Sequence, residues 1–322
     1  MGHKSLKTGK MKKITLILFL QSILFWSALA QSHFPKLHKS NVNIMVANDM
    51  GNRGVWEQKN VAELMGRFAE QNRIDFFAVA GDPIHDDGVK SVDDEEWMLK
   101  IEDIYTAQSL HATPWYVVSG NHEYNGSVQA IIDYSQKSER WNAPARYFTV
   151  SKKIKNRNNL CLFVFIDTTP FIGRYQTRGD AGEQDTAEQL KWIETELSSS
   201  TAKWKIVIGH HPIHAGTDKS ESERTDMQSS VGVLLEKCGA DIFISGHIHN
   251  FQHLRPAGTK VHYVVNSSAS QSRPVEKIDD ILFSNSDPGF TVLSMNKKTC
   301  EFFFINHKGE CVYSYTILRK KR

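Results

Sequence analysis

From residue 42 onward, short apolar runs alternate with longer stretches whose apolar residues recur every three or four positions. The runs 42–47, 76–80, 115–118, 160–166, 205–208, 242–245 and 263–265 are nearly continuous in Val, Ile, Leu and Phe. That is the pattern of strands covered on both faces. Between them, Val61, Leu64, Met65 and Phe68 draw a helical stripe within 56–72. Trp97, Ile101, Ile104 and Tyr105 draw a second, and Leu190, Ile193 and Leu197 a third. Val231, Leu234, Leu235 and Cys238 draw a fourth, closed by Gly239 at a natural helix-ending position. The last third differs: 290–295, 301–305 and 312–317 read as an antiparallel meander, with a hairpin turn at Lys308-Gly309. The pattern predicts one α/β domain over residues 41–318, with a sheet covered on both sides. Residues 31–40 read as a loose lead-in, 218–228 as a polar, mobile lid or rim, and 319–322 as a solvated basic tail.

The residues suited to chemistry sit at the ends of the apolar runs. The first run ends in Asn48-Asp49-Met50-Gly51 and the second in Gly81-Asp82-Pro83-Ile84-His85. The third ends in Gly120-Asn121-His122-Glu123, the run at 205–208 in Gly209-His210-His211-Pro212, and that at 242–245 in Gly246-His247-Ile248-His249-Asn250. Ligands of open α/β sheets gather at the carboxyl edge of the strands. A glycine ahead of a motif lets the backbone turn sharply and approach closely. The donors mix oxygen and nitrogen, which suits iron, zinc or manganese rather than calcium. They are too many for one ion, so two ions sharing a carboxylate are expected, with Asp82 as the bridge. His33, His38, His111, His253, His262 and His307 read as structural.

Composition changes the picture at the N-terminus. Lys12 and Lys13 precede an apolar core from Ile14 to Trp26, and Ala28-Leu29-Ala30 forms a small-x-small cleavage site. Residues 1–30 therefore read as a signal peptide of an exported protein, periplasmic or secreted, with no stable membrane insertion after cleavage. Met11 is a second plausible start. The leader holds five of the 39 basic residues and no acid, so 34 basic and 36 acidic residues remain, a net charge of −2. No basic field is left to bind nucleic acid. Cys161, Cys238, Cys300 and Cys311 show no CxxC spacing and are expected as buried free thiols. Asn125-Gly126-Ser127 and Asn266-Ser267-Ser268 match the glycosylation pattern.

The motifs GDxxH, GNHE, GHHP and GHIHN, in that order, resemble those of the calcineurin-like metallophosphoesterases. Stretches outside them, among them Pro114-Trp115-Tyr116-Val117, Arg140-Trp141-Asn142-Ala143-Pro144 and Gln189-Leu190-Lys191-Trp192, are similar to the small, tartrate-resistant purple acid phosphatases. The resemblance implies a four-layer α/β/β/α sandwich of two mixed sheets, with metals at the strand edge. It implies that Asp49, Asp82 and His249 hold a first metal, and Asp82, Asn121, His210 and His247 a second. His122, beside Asn121, then protonates the leaving alkoxide or contacts the phosphate. The nucleophile would be a hydroxide made from water acidified by the two cations.

Three departures stand out. Asn48 replaces the family's glycine, and His85 replaces the tyrosine whose phenolate binds ferric iron. A neutral imidazole suits a divalent ion better, so His85 is expected to ligate a divalent first metal. The loop after His211 also differs, with His214, Gly216 and Thr217. His211 and His214 are expected either to orient phosphate or to support the ligands and pack the loop. The expected substrate is a phosphorylated small molecule or a phosphoprotein. A phosphodiesterase or nucleotidase, or a non-catalytic metal- or phosphate-binding protein, are the competing readings.

Overall fold

The computed structural model describes residues 1–2, 34–153 and 161–319. Of the expected leader only residues 1–2 are described; His33, Leu160 and the tail 320–322 lie outside the described residues. In chain order the elements are β1 (Val42–Ala47), α1 (Gln58–Gln71), β2 (Phe76–Ala80), α2 (Gln108–His111), β3 (Trp115–Val118), α3 (Val128–Asp133), β4 (Trp141–Asn142), β5 (Phe148–Lys152) and β6 (Cys161–Phe165). Then come α4 (Thr186–Ser199), β7 (Trp204–Ile208), α5 (Glu221–Met227), α6 (Val233–Cys238), β8 (Ile242–Ser245), β9 (Phe251–Leu254) and β10 (His262–Val265). β11 (Ile281–Asn285), β12 (Gly289–Met295), β13 (Thr299–Asn306) and β14 (Cys311–Leu318) complete the chain.

Two seven-stranded mixed sheets result, ordered β14-β13-β12-β1-β2-β3-β4 and β11-β9-β10-β8-β7-β6-β5. β1 to β4 run parallel, as do β6, β7, β8 and β10; the antiparallel strands lie outside them. Strand alternation separates three cores. Val42, Ile44, Phe76, Ala78, Phe163, Ile206 and Ile244 meet between the sheets. Their neighbours Met45, Phe77 and Val117 face α1 and the Trp97–Tyr105 segment, and Val164, Val207 and Phe243 face α4 and α6. This is the α/β/β/α sandwich, and it explains why so many strands are apolar on both faces. Every parallel strand in a sheet ends at the same edge, so the motif-bearing loops converge there.

Several expectations need correction. The Trp97–Tyr105 stripe is not one regular helix: Met98–Glu102 forms a π-turn. The extra residue turns Lys100 inward, where its buried Nζ donates to the His85 carbonyl at 2.7 Å. The lead-in is not loose from Phe34 on: Phe34 packs on Phe68 at 5.0 Å, and Leu37 N donates to Asn72 Oδ1 at 2.8 Å. Segment 218–228 contains helix α5, with Glu223 and Met227 buried. Arg319 is not a solvated tail residue; it pairs with Asp241 and stacks over Trp204. All four cysteines are free, but only Cys161 and Cys300 are buried; Cys238 is half-buried and Cys311 exposed. Within the hairpin Cys300 sits opposite Ile317. Asn266 is fully buried, so it cannot carry a glycan. Among the described residues no helix is long and apolar enough to cross a membrane.

Candidate metal centre

The loops after β1, β2, β3, β7 and β8 bring Asp49, Asp82, His85, Asn121, His122, His210, His211, His247 and His249 together. Ligand atoms lie within 4.8 Å of one another in four overlapping groups: Asp49/His85/His249, Asp82/His85/His122, Asp49/Asp82/His210 and His210/His211/His247. All are buried except His122, whose side chain is 31% exposed. His214 is not among them. It lies half-buried against Tyr263, with the Gln228 amide 3.3 Å from its Nδ1.

The backbone is strained where it turns these side chains to the edge. Asp49, Asp82, His247 and His249 are four of only seven non-glycine residues at positive φ among the described residues. Gly81 also sits at φ +83, and a Cβ there would lie 2.5 Å from His210 Cγ. A Cβ on Gly246 would lie 2.5 Å from Asn48 Nδ2 and 2.8 Å from Asp49 Oδ2. Only glycine lets these two motifs approach so closely.

Most of these candidate ligands are oriented by specific hydrogen bonds. Asp49 Oδ2 accepts from His247 N at 2.8 Å and from Asn48 Nδ2 at 2.6 Å, and its Oδ1 lies 2.9 Å from His249 Nε2. Its carbonyl accepts from the hydroxyls of Ser268 and Ser270. Asp82 Oδ1 accepts from His122 N at 2.9 Å, while Oδ2 faces His210 Nε2 at 2.9 Å. His210 Nδ1 donates to the Ala80 carbonyl, which leaves Nε2 for the site. His122 Nδ1 likewise donates to the Asp86 carbonyl, leaving its Nε2 3.9 Å from Asp82 Oδ2. The Thr168 hydroxyl accepts from the amides of His210 and His211 and donates to His211 Nδ1 at 2.8 Å. His85 Nδ1 meets the Asn52 amide at 3.0 Å, and its Nε2 stands 3.6 Å from Asp49 Oδ1.

Charge is tuned by burial and by these neighbours. Burial alone would lower the His210 pKa, but the carboxylates of Asp82 and Asp49 outweigh it and hold it raised to about 9. Burial would raise Asp82 and Asp49, yet the surrounding histidines keep both well below the usual carboxylate range. Burial pushes His247 down, with the Lys219 ammonium adding to it; His211 is pushed down by burial and by His247. Lys219 itself is lowered to about 8 by burial, then by Arg273. Its Nζ donates to the His247 carbonyl at 2.8 Å.

The donor set fits metal ions on this chain's own evidence. Of nine buried side-chain polar atoms without a partner among the described residues, four belong to the site: His85 Nε2, Asn121 Oδ1, His211 Nε2 and His249 Nδ1. Unpartnered buried polar atoms are costly, and these belong to residues gathered at the strand edge, with His85 Nε2 3.6 Å from Asp49 Oδ1. The buried Asp/His groups fit a binuclear metal site.

Comparison with known proteins agrees. The calcineurin-like phosphoesterase family profile matches residues 42–251. Purple acid phosphatase 4 of Arabidopsis thaliana is 31% identical, over 85% of this chain and 83% of that protein. Tartrate-resistant acid phosphatase type 5 of Rattus norvegicus is 25% identical, over 83% and 85%. Among solved structures, GAP50, the anchor in the inner membrane complex of Plasmodium, superposes with a TM-score of 0.75 at 21% identity, over 88% and 90%. A fold and a site of this kind define a metal-dependent phosphoesterase. The chain belongs to the calcineurin-like phosphoesterase family, related to the plant purple acid phosphatases and to tartrate-resistant acid phosphatase type 5.

Sequence reasoning missed several residues that build the site. Asn48 entered only as a departure, yet its amide fixes Asp49 and pairs with Asn266. Glu123 Oε1 and Oε2 accept from Ile84 N and Gly120 N at 3.1 and 2.7 Å, tying two motif loops together. Burial, with Asp82 next, raises Glu123 to about 8. Thr168 was marked only by the family-like pair Asp167-Thr168, Ser268 only by a glycosylation pattern, and Ser270 by nothing. Glu223 lay in the segment read as a lid.

Proposed function

We propose that this chain is an exported phosphomonoesterase with two metal ions. The observation that carries this reading is the clustering of buried Asp49, Asp82, His85, His210, His247 and His249 in overlapping groups whose ligand atoms lie within 4.8 Å of one another. Asp49, Asp82, His85 and His249 would hold one ion, and Asp82, Asn121, His210 and His247 the other. Asp82 is the bridging candidate, because it belongs to groups that include both His210 and His85. The ions, when bound, supply Lewis acidity toward the phosphate and acidify a water.

The protein's own residues do the rest. His122 is the only site histidine with an exposed edge, and its Nδ1–H is committed to Asp86. Its Nε2 is therefore the atom to give a proton to the departing alkoxide. Thr168 donates to His211 Nδ1, so His211 carries its proton on Nε2 and can offer it to a phosphate oxygen. His214, engaged with Tyr263 and Gln228, is assigned to packing. His85 would offer an imidazole nitrogen where a tyrosine would offer an anionic phenolate, which favours a divalent ion, zinc, manganese or ferrous iron, and a protein that is not purple. Export rests on residues 11–30, with cleavage before Gln31. The substrate class is a phosphorylated small molecule or phosphoprotein.

The test is elemental analysis of the mature protein with p-nitrophenyl phosphate turnover before and after chelation. Two metals per chain and chelator-sensitive turnover are expected, and His122→Ala should lose turnover while keeping both metals. A protein that takes up neither iron, zinc nor manganese and turns over nothing refutes the reading. A strong visible phenolate band would refute the divalent assignment, and an N-terminus other than Gln31 in exported protein would refute the cleavage site.

A further inference from the structure

Helix α5 carries a buried carboxylate into the back of the metal centre. Glu223 is 3% exposed, and its Oε2 accepts from His247 Nε2 at 2.9 Å. Its other oxygen is held from outside: Oε1 accepts from Tyr175 OH at 2.9 Å and from Arg174 Nη1 at 3.0 Å. The carboxylate is thus fixed by two groups that touch neither Asp49 nor Asp82. With Nε2–H committed to Glu223, His247 presents its Nδ1 lone pair, 3.2 Å from His210 Nε2. A flipped ring would put Cδ2 and Cε1 where Nδ1 and Nε2 now stand, leaving no nitrogen toward the site and Glu223 without its inner donor. Lys219 Nζ lies 3.1 and 3.3 Å from the two ring nitrogens and so does not favour one over the other.

We propose that Glu223 is the positioning residue that selects the metal-facing nitrogen of His247 and so sets the affinity of one of the two metal ions. The inference rests on the two-metal reading of the site. Histidine ligands that give their second N–H to a carboxylate are oriented and made more basic by it. Arg174 and Tyr175, from the turn Gly173–Tyr175, keep the carboxylate in place. The segment 218–228 therefore acts as a support of the site, with α5 packed in place to deliver Glu223.

The experiment measures metal stoichiometry and affinity by chelator competition on the full chain, for wild type, Glu223→Ala and Glu223→Gln. Glu223→Ala should bind one ion about 10–100-fold more weakly and leave the other unchanged. Glu223→Gln, which keeps shape and an acceptor oxygen but loses the charge, should fall between. It also serves as the folded control if the alanine variant does not fold, with circular dichroism as the check. Two ions bound with wild-type affinity in Glu223→Gln and Glu223→Ala overturn the inference, as does a loss shared equally by both ions, which marks a merely structural role. A wild-type chain that takes up no ion overturns the two-metal reading and this inference together.

Discussion

Asn48 offers the sharpest test of how the site is held. It is fully buried, its Nδ2 donates to Asp49 Oδ2 at 2.6 Å, and its Oδ1 accepts from Asn266 Nδ2. Asn48→Ala removes both bonds. The bond to the ionised Asp49 is worth about 1.5–3 kcal/mol, because its acceptor is charged. The Asn266 bond adds only about 1 kcal/mol, since Asn266 Nδ2 keeps the Ser267 carbonyl at 2.9 Å. The expected loss is therefore about 3 kcal/mol, a large share of the roughly 5–15 kcal/mol that holds a domain folded. Urea unfolding with chelator present measures it without the stabilisation that bound metal adds. Asn48→Asp sharpens the point. It swaps the donor for a second carboxylate against Asp49, which burial and like charge force to hold a proton. A raised native pKa gives stability below the unfolded value and loses it as pH rises. Asn48→Asp should therefore weaken relative to Asn48→Ala between about pH 4 and 8. An alanine variant within about 0.5 kcal/mol of wild type, or an aspartate variant with no such pH trend, would refute this account.

Burial raises Asp167 from 3.8 to about 6, so the native state holds its proton more tightly than the unfolded chain. That contribution is complete below pH 3.8 and is lost as pH rises through about 6. The loss is on the order of 2–3 kcal/mol, and Asp167→Asn should abolish it in urea titrations at pH 4 and 7. Gly246→Ala should disturb both Asn48 and Asp49, costing about 1–3 kcal/mol in unfolding experiments and reducing metal content. In native protein a thiol reagent should label Cys311 quickly and Cys161 and Cys300 only on unfolding, because burial raises both buried thiols. His214→Ala should leave turnover of p-nitrophenyl phosphate within about twofold, since His214 packs on Tyr263 and belongs to none of the clustered ligand groups.

The parallel strands were legible because they are covered on both faces, which leaves continuous apolar runs such as Phe76–Ala80 and Ile242–Ser245. The glycine-led motifs after them were legible because close approach admits no side chain. Among the edge strands β14 was read at 312–317, but β4 and β11 were not: β11 alternates between half-buried and exposed positions, and β4 has only two residues. The π-turn at Met98–Glu102 was hidden, because one inserted residue shifts a helical stripe by less than its own width. The supporting groups were hidden for another reason. Asn48, Thr168, Glu123 and Glu223 each act through a contact distant in sequence, such as that between Asn48 and Asn266, 218 positions apart. A short polar side chain signals nothing of this until its partners are in place.

The left-handed residues connect strain to purpose. In an extended strand, successive side chains enter opposite cores, so a ligand placed there would be buried among Val, Ile and Phe. Turning Asp49, Asp82, His247 and His249 toward the strand edge requires the backbone to leave the strand abruptly, and positive φ does this. Each such non-glycine residue costs on the order of 1–3 kcal/mol. Glycine would relieve that cost, and glycine is used at Gly81, where only the backbone matters. At these four positions the strain is kept and offset locally: Ser268 and Ser270 hold the Asp49 carbonyl, and Asp49 in turn holds the His247 amide. A chain selected for stability alone has no reason to keep aspartate and histidine in four adjacent strained positions. Their side chains, then, are what the strain is kept for.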